Sequence, residues 1–374
     1  MKKNILLISS SKNKSKPLID LFEELCQKEY CFYLLSTCSS MLEQFREKNW
    51  FCSRISLGPA VTNNFLLFIF LLLSPWLYLK FLVILINYKF KQNISTVLLM
   101  DWQEKILVTL LAKIIKLKVV WLEKPDCDYK KLKLKKIYKL CARFATIITV
   151  NSDNKIQLKN FGIKEENIFL IQPAIKLNQY QENIFNKIAQ TSNKNFHNRY
   201  FTIGTIVDLK QGQKVEILLQ AIKICLTVIP NLQLIIAGDG KEKKNLSWLT
   251  KKMEIDSLVW FIGEQKQIKK WLSNFAVYVV ATKMPNIDDY YNILKAMASG
   301  LPIIGPRHTG LEEIIIENKT GSLIEMDNSE MLARQIIKLY QDKKMRLQLG
   351  DNAQERIKNL FIIDKVINKF IELL

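Results

Sequence analysis

Histidine is scarce in this 374-residue chain: there are two, His197 and His308. So few histidines argue against a histidine-built metal site and against a Ser-His-Asp triad. The seven cysteines, at 26, 31, 38, 52, 127, 141 and 225, form no C-x-x-C pair and no metal-ligand spacing, so they read as free thiols of a reducing compartment. Glycine is missing from SSSKNKSK, the turn after the first apolar run, where a dinucleotide-binding fold places glycines so that backbone can approach phosphate. Hydroxyls and Lys12, Lys14 and Lys16 are what that turn offers an anion instead. Charge is absent altogether from residues 55–79. No internal repeat is apparent, and the first apolar run is too short for a secretory leader.

Acidic residues are the minority charge. The chain has 55 Lys and Arg against 35 Asp and Glu, a net +20, and residues 1–195 hold 30 of the former and 15 of the latter. A basic first half beside a very apolar stretch points to an anionic membrane surface; no motif supports a nucleic-acid partner. The apolar stretch is NNFLLFIFLLLSPWLYLKFLVILINYKF, residues 63–90. It is long enough to span a bilayer, but Ser74-Pro75 is expected to split it and Lys80 interrupts the second piece. Soluble-type elements also resume on both sides, so a helix pair lying in the membrane interface or docked on a sheet is the expectation.

What is present in quantity is alternation. KKNILLISSS, YCFYLLST, STVLLMDWQ, KVVWLEK and TIITVNS read as buried strands, with PLIDLFEELCQ and EKILVTLLAKII as helices between them. KKLKLKKIYKLCARFA reads as one strongly basic helix carrying Lys130, Lys131, Lys133, Lys135, Lys136 and Lys139. A polar stretch to Tyr200 reads as a connector, after which FTIGTIV, LQLIIAGDG, SLVWFIG, AVYVVA and LPIIG alternate with further helices. Such alternation marks an α/β fold of doubly wound parallel sheets, and the length fits two domains. Gly238-Asp239-Gly240 reads as a tight turn.

The stretch AVYVVATKMPNIDDYYNILKAMASGLPIIG, residues 276–305, organises the second series. A strand, a polar connector and a helix stopped by Gly300 follow one another. The first backbone N–H groups of that helix, placed near Asn292, Ile293 and Leu294, are expected to be open at the positive end of the dipole. That makes a site for a diphosphate.

The ordered set IGTIVDL…LLQA, LQLIIAGDG, LVWFIG, VYVVATK, LKAMASGLPIIG and GLEEIIIENKTGSLIEMDNSEMLARQI resembles the nucleotide-sugar domain of GT-B-fold glycosyltransferases of the retaining group-one/family-four type. The specific part covers residues 201–336; the first half resembles the family in layout. The resemblance implies two Rossmann-like doubly wound domains facing across a cleft. Residues 1–175 would be the acceptor side, with the apolar segment 63–90. Residues 176–200 would be a linker, 201–355 the donor domain, and 356–374 a terminal helix packing back towards the first domain.

The implied activity is transfer of a sugar from a nucleotide diphosphate sugar to a lipid-linked or glycan acceptor. It needs no cofactor beyond the donor and no metal, and runs in the cytoplasm, peripheral at the inner face of the cell membrane. Lys210, Lys214 and the helix start would hold the diphosphate, Gly263 would line the base, and Asp288 or Asp289 would take hydroxyls. Asp101 and Glu123, at strand ends, would face the acceptor. The chain departs from the family where Asp208 stands at an Arg position, Gln213 and Lys214 at a Lys-Gly pair, Ile287 and Lys295 at two Glu positions, and Glu123-Lys124 near an acceptor-side His. These departures leave a second reading open, a catalytically degenerate relative acting as a binding or scaffold subunit.

Overall fold

The computed structural model describes residues 3–10, 16–125, 127, 129–177, 200–265, 267–282 and 285–374. Lys12, Lys14, His197 and the expected connector from 178 to 199 lie outside them. The chain forms two compact units, Met1–Gln172 with Asp364–Leu374, and Pro173–Ile363.

The first unit is built on β1 (Lys3–Ser9), β2 (Tyr30–Ser36), β3 (Phe51–Arg54), β4 (Ile94–Leu99), β5 (Lys118–Leu122), β6 (Thr146–Thr149) and β7 (Ile168–Leu170). They pair in parallel in the order β3-β2-β1-β4-β5-β6-β7. Both faces of such a sheet are covered, which is why ILLI and VLL are unbroken apolar runs rather than alternating ones. Strand order reverses between β1 and β4, so a crevice opens outside the carboxyl ends of those two strands.

The Asn64–Lys91 helix covers part of one face. It is a single 28-residue helix, which corrects the expected split into a pair. Pro75 has no N–H for the carbonyl of Leu71, and the Ser74 hydroxyl donates to that carbonyl instead at 2.7 Å. Asn63 caps the start by accepting the amide of Leu66 at 2.8 Å. Phe70, Leu77, Phe81 and Leu85 point inward and join the core around Trp121 and Tyr138. The lysine-rich segment is likewise not one helix. Tyr129–Lys131 form a 3-10 turn and Lys135–Ala142 an α-helix, broken at Leu134, which has φ 55°.

The second unit holds β8 (Phe201–Ile206), β9 (Leu232–Ala237), β10 (Val259–Gly263), β11 (Val277–Val279), β12 (Ile303–Pro306) and β13 (Gly321–Ile324). All pair in parallel, in the order β10-β9-β8-β11-β12-β13, with the reversal between β8 and β11. Close approach requires glycine at positions 204 and 238. A Cβ on Gly204 would sit 1.9 Å from the Phe275 ring, and one on Gly238, at φ 139°, 1.9 Å from the Val207 carbonyl oxygen. The Gly238 amide donates to the carbonyl of Gly263 at 2.8 Å, so the Gly-Asp-Gly turn is structural.

The two faces of the long helix make opposite demands on stability. Phe81→Ala is expected to lower the unfolding free energy by ~3–5 kcal/mol, the cost of emptying a filled core site. Leu79→Ser, on the exposed face, should change it by less than ~0.5 kcal/mol. Urea unfolding of the full chain checks both.

Candidate functional site

The β8–β11 reversal gathers the second unit's candidates at one corner. The chain leaving β8 carries Asp208, Lys210 and Lys214; the chain leaving β11 runs through Thr282 to the Ile287–Ala298 helix. The two are tied together, the Lys214 amide donating to the carbonyl of Ala281 at 3.0 Å and Gln213 bridging Thr282. Gln213 Oε1 is buried there with no hydrogen-bond partner among the described residues.

The helix starts at Ile287, five residues before the expected Asn292. Asn292, Ile293 and Leu294 therefore sit in its second turn, where their amides belong to the helical ladder, and Ile293 and Leu294 are core. Nor is the tip bare. Asn286 Oδ1 accepts the amides of Asp288 at 2.8 Å and Asp289 at 3.0 Å, while the Asp289 carboxylate accepts the Asn286 amide at 2.9 Å. This capping box is legible as Asn-x-x-Asp. It assigns Asp289, which is buried, to the cap rather than to an exposed hydroxyl-binding position.

Asp288 is the half-buried carboxyl of the corner. Burial, and then the Asp289 carboxylate, push it up to about 7; Lys295 and Lys210 pull the other way and Asp208 adds to the rise. Lys295 is buried, donates to Asn292 Oδ1 at 3.2 Å and lies over the Tyr291 ring at 4.2 Å. A helical side chain leans towards the amino end. The ammonium of Lys295 is thus carried from the helix body back towards the tip, close enough to act on Asp288.

The other cations are engaged by carboxylates. Lys210 pairs with Asp208 at 2.5 Å, and Lys214 with Asp327 at 2.9 Å. Asp327 follows β13 and lines, with Lys214, Gly305 and Asn328, a small pocket at the carboxyl ends of β11, β12 and β13. Gly263 ends β10 with φ 69°, where an added Cβ would have the Lys243 Nζ at 4.0 Å. His308 caps the Thr309–Glu312 turn of helix, its Nδ1 accepting the Gly310 amide at 3.2 Å.

In the first unit the structure separates the two expected carboxylates. Glu123 is closed in the core, accepting from Lys105 and Tyr138 at 2.7 Å each and from Tyr129 at 3.0 Å. Its side chain is 1% exposed, so it faces no substrate. It is a strut between β5 and the helices that cover it. Asp101 stands at the β1–β4 reversal, paired with Lys124, and its Oδ2 is buried without a partner among the described residues.

Glu104, which sequence reading missed, lies beside it. Glu104 accepts the Ser10 amide at 3.1 Å, the Ser10 hydroxyl at 3.0 Å and the Asp101 amide at 2.9 Å. Burial and the Asp101 carboxylate raise it to about 8, so it is largely neutral at pH 7. Its only sequence signal was the three-residue spacing from Asp101 at a helix start. Among the described residues no group of three or more His, Cys, Asp or Glu side chains is gathered to hold a metal ion.

Residues 186–356 match the family described as "Glycosyl transferases group 1". Residues 186–356 thus form a group 1 glycosyltransferase domain, and the fold of the chain is GT-B. Among curated proteins it is 27% identical over 165 residues to N-acetyl-alpha-D-glucosaminyl L-malate synthase of Bacillus anthracis, covering 44% of this chain and 42% of that one. It is 24% identical over 146 residues to the lipopolysaccharide core biosynthesis glycosyltransferase LpsE of Rhizobium meliloti, covering 39% of this chain and 42% of that one. The chain thus spans less than half the length of either relative. Among solved structures, Anabaena HepE in complex with UDP superposes with a TM-score of 0.80 at 16% identity, over 99% of this chain and 98% of that one. The same protein is known in complex with UDP-glucose.

Two substitutions check the charges at these corners. Glu123→Gln leaves the buried Lys105 ammonium without its counter-charge and is expected to cost ~3–5 kcal/mol in urea unfolding. Asp288→Asn removes a group whose folded-state pKa, about 7, lies above its unfolded value. Stability from that carboxyl is fully present below the unfolded carboxylate range and is lost as pH rises to about 7. The Asn variant is therefore expected to melt progressively above wild type between acid pH and neutrality, with a constant gap at higher pH. Thermal melts across pH measure it.

Proposed function

We propose that the chain transfers a hexose from a nucleoside-diphosphate sugar to a lipid-linked or membrane-proximal acceptor in the cytoplasm, at the inner face of the cell membrane. The observation that carries the reading is the corner at the β8–β11 reversal, where Lys210 and Lys295 act on Asp288 at the start of one helix and Lys214 stands on the adjoining connection, paired with Asp327. The family match of residues 186–356, the UDP and UDP-glucose complexes of a protein of the same fold, and the envelope-polysaccharide name of a relative support it.

In the reaction, the bond from the anomeric carbon to the diphosphate oxygen breaks as the acceptor hydroxyl oxygen bonds to that carbon. Positive charge spreads over the sugar ring while negative charge collects on the leaving diphosphate. Fixed cations and the helix dipole stabilise that charge. Lys210 and Lys214 would turn from Asp208 and Asp327 to the phosphates, and Lys295 would supply a third cation from below the tip. The Asn286 cap already holds two tip amides, so side-chain cations carry more of the task than backbone does. A neutral Asp288 can stand near a diphosphate without repelling it and can donate to a sugar or ribose hydroxyl. Gly263 leaves room for the base, and Asp101, whose side chain is one-fifth exposed beside Lys124, would orient the acceptor, whose hydroxyl proton leaves with the diphosphate.

One observation favours the second reading, a donor-binding subunit without turnover. With Lys210 held by Asp208, the corner collects three carboxylates, Asp208, Asp288 and Asp289, against the two lysines 210 and 295.

Radiolabelled sugar transfer from UDP-glucose to a crude polyprenyl-lipid extract separates the readings, with calorimetric UDP binding alongside. Wild type is expected to bind and transfer, and Lys210→Ala/Lys214→Ala to lose roughly a hundred-fold in rate, the usual cost of one lost charge-stabilising group. Binding without transfer selects the subunit reading; unchanged transfer by the double variant refutes the phosphate assignment. UDP affinity should fall as pH rises through about 7 and Asp288 becomes charged, and Asp288→Asn should flatten that fall.

A further inference from the structure

We propose that the Asn64–Lys91 helix lies flat in the surface of an anionic lipid bilayer, with its outer ridge among the acyl chains and its inner ridge in the protein core. This deepens the reading above by naming the surface and the residues that meet it, and its test does not depend on sugar transfer.

The helix is apolar on two faces, and the faces have different fates. Phe70, Leu77, Phe81 and Leu85 are 0–1% exposed. On the other side Phe65, Phe68, Leu72, Trp76, Leu79 and Val83 follow at intervals of three or four residues, the spacing of one helical face, and Phe90 ends the ridge. These seven side chains are 55–78% exposed. At 1.5 Å per residue the ridge runs for about 38 Å. A continuous apolar strip of that length is far beyond the scattered exposed side chains normal on a soluble surface.

Charge selects the partner. Between Glu47 and Asp101 there is no acidic residue, while Lys48, Arg54, Lys80, Lys89 and Lys91 fall in that interval. The cations border the ridge instead of interrupting it. Lys80 extends sideways, its Nζ donating to the Ser56 carbonyl at 3.0 Å and lying 5.3 Å from the Trp76 ring centre. Lys133 reaches the helix start, donating to Asn64 Oδ1 at 2.9 Å, and Lys89 and Lys91 stand at the other end. An apolar strip flanked by these cations, in an interval of sequence without an acidic residue, matches lipid tails beneath acidic headgroups. Trp76 sits mid-ridge, where an amphipathic ring suits the boundary.

Length and composition would also permit the helix to cross a bilayer. Crossing would strip the inner ridge from the sheet core, exposing Val97, Leu99 and Trp121, which that side of the unit covers. Lying flat satisfies both ridges at once.

The test is flotation of the full chain with phosphatidylglycerol–phosphatidylcholine vesicles, compared with pure phosphatidylcholine vesicles. The chain should float with the former, be released by alkaline carbonate, and show Trp fluorescence quenched by shallow brominated lipids. Phe68→Ser/Leu72→Ser/Trp76→Ser should abolish flotation while leaving the melting temperature and UDP binding unchanged. Lys80→Glu/Lys91→Glu should weaken it about tenfold. Equal flotation on both vesicle types, or flotation that survives the triple substitution, overturns the proposal. Resistance to carbonate overturns it in favour of a span. A lipid-free dimer dissolved by the triple variant, without flotation, assigns the ridge to a second copy. Flotation without transfer, or transfer without flotation, tells failure of the glycosyltransferase reading from failure of this one.

Discussion

A parallel sheet has to be covered on both faces, because its strands are joined by crossovers and its side chains emerge apolar above and below. Both units of this chain obey that constraint, and most of what they display follows from it. The covering helices leave only the edges of each sheet to solvent. At the carboxyl edge, where strand order reverses, connections diverge and polar side chains can be gathered. In the first unit that edge holds Ser10, Asp101, Glu104 and Lys124; in the second, Asp208, Lys210, Lys214 and the start of the Ile287–Ala298 helix.

Within the second corner, electrostatics is a matter of what is already satisfied. A helix tip attracts anions through unpaired amides, but Asn286 and Asp289 have closed three backbone donors with one capping box. In the proposed reading, the attraction for a diphosphate passes to lysines, each of which has a carboxylate neighbour to release. A corner arranged in this way is not a preformed anion trap. Selectivity would arise because a dianion of the right shape can replace several carboxylates together, whereas a single chloride cannot. The buried Lys105–Glu123 pair in the first unit shows the opposite case. There every acceptor is engaged from within, and the charges serve packing.

The same covering requirement gives the long apolar helix its two characters. Its inner ridge is needed by the sheet; its outer ridge is not, and so is free for a second environment. Pro75 does not end the helix because the Ser74 hydroxyl replaces the missing ladder donor at the carbonyl of Leu71. That local repair keeps the ridge continuous, which a pair of shorter helices at an angle would not.

Strand positions and the doubly wound class were legible in the sequence, because buried parallel strands leave short apolar cores such as ILLI and LIIA that alternate with helical periodicity. The family likeness of residues 201–336 was legible for a related reason: its glycines stand where backbone approaches backbone, as at Gly238. Edge strands β3 and β13, four residues each, were too short for periodicity to register. Side-chain fate was decided only by the tertiary structure. Asp101 and Glu123 look alike as strand-end carboxylates, yet one stands at the reversal and the other is sealed by Lys105, Tyr129 and Tyr138, residues brought from other elements. Sequence alone determined the longer buried strands and the order in which helices alternate with them, since local chemistry fixes those. Which polar atoms remain open for a ligand depended on long-range packing, because satisfaction of a buried group is settled by whichever distant side chain arrives beside it.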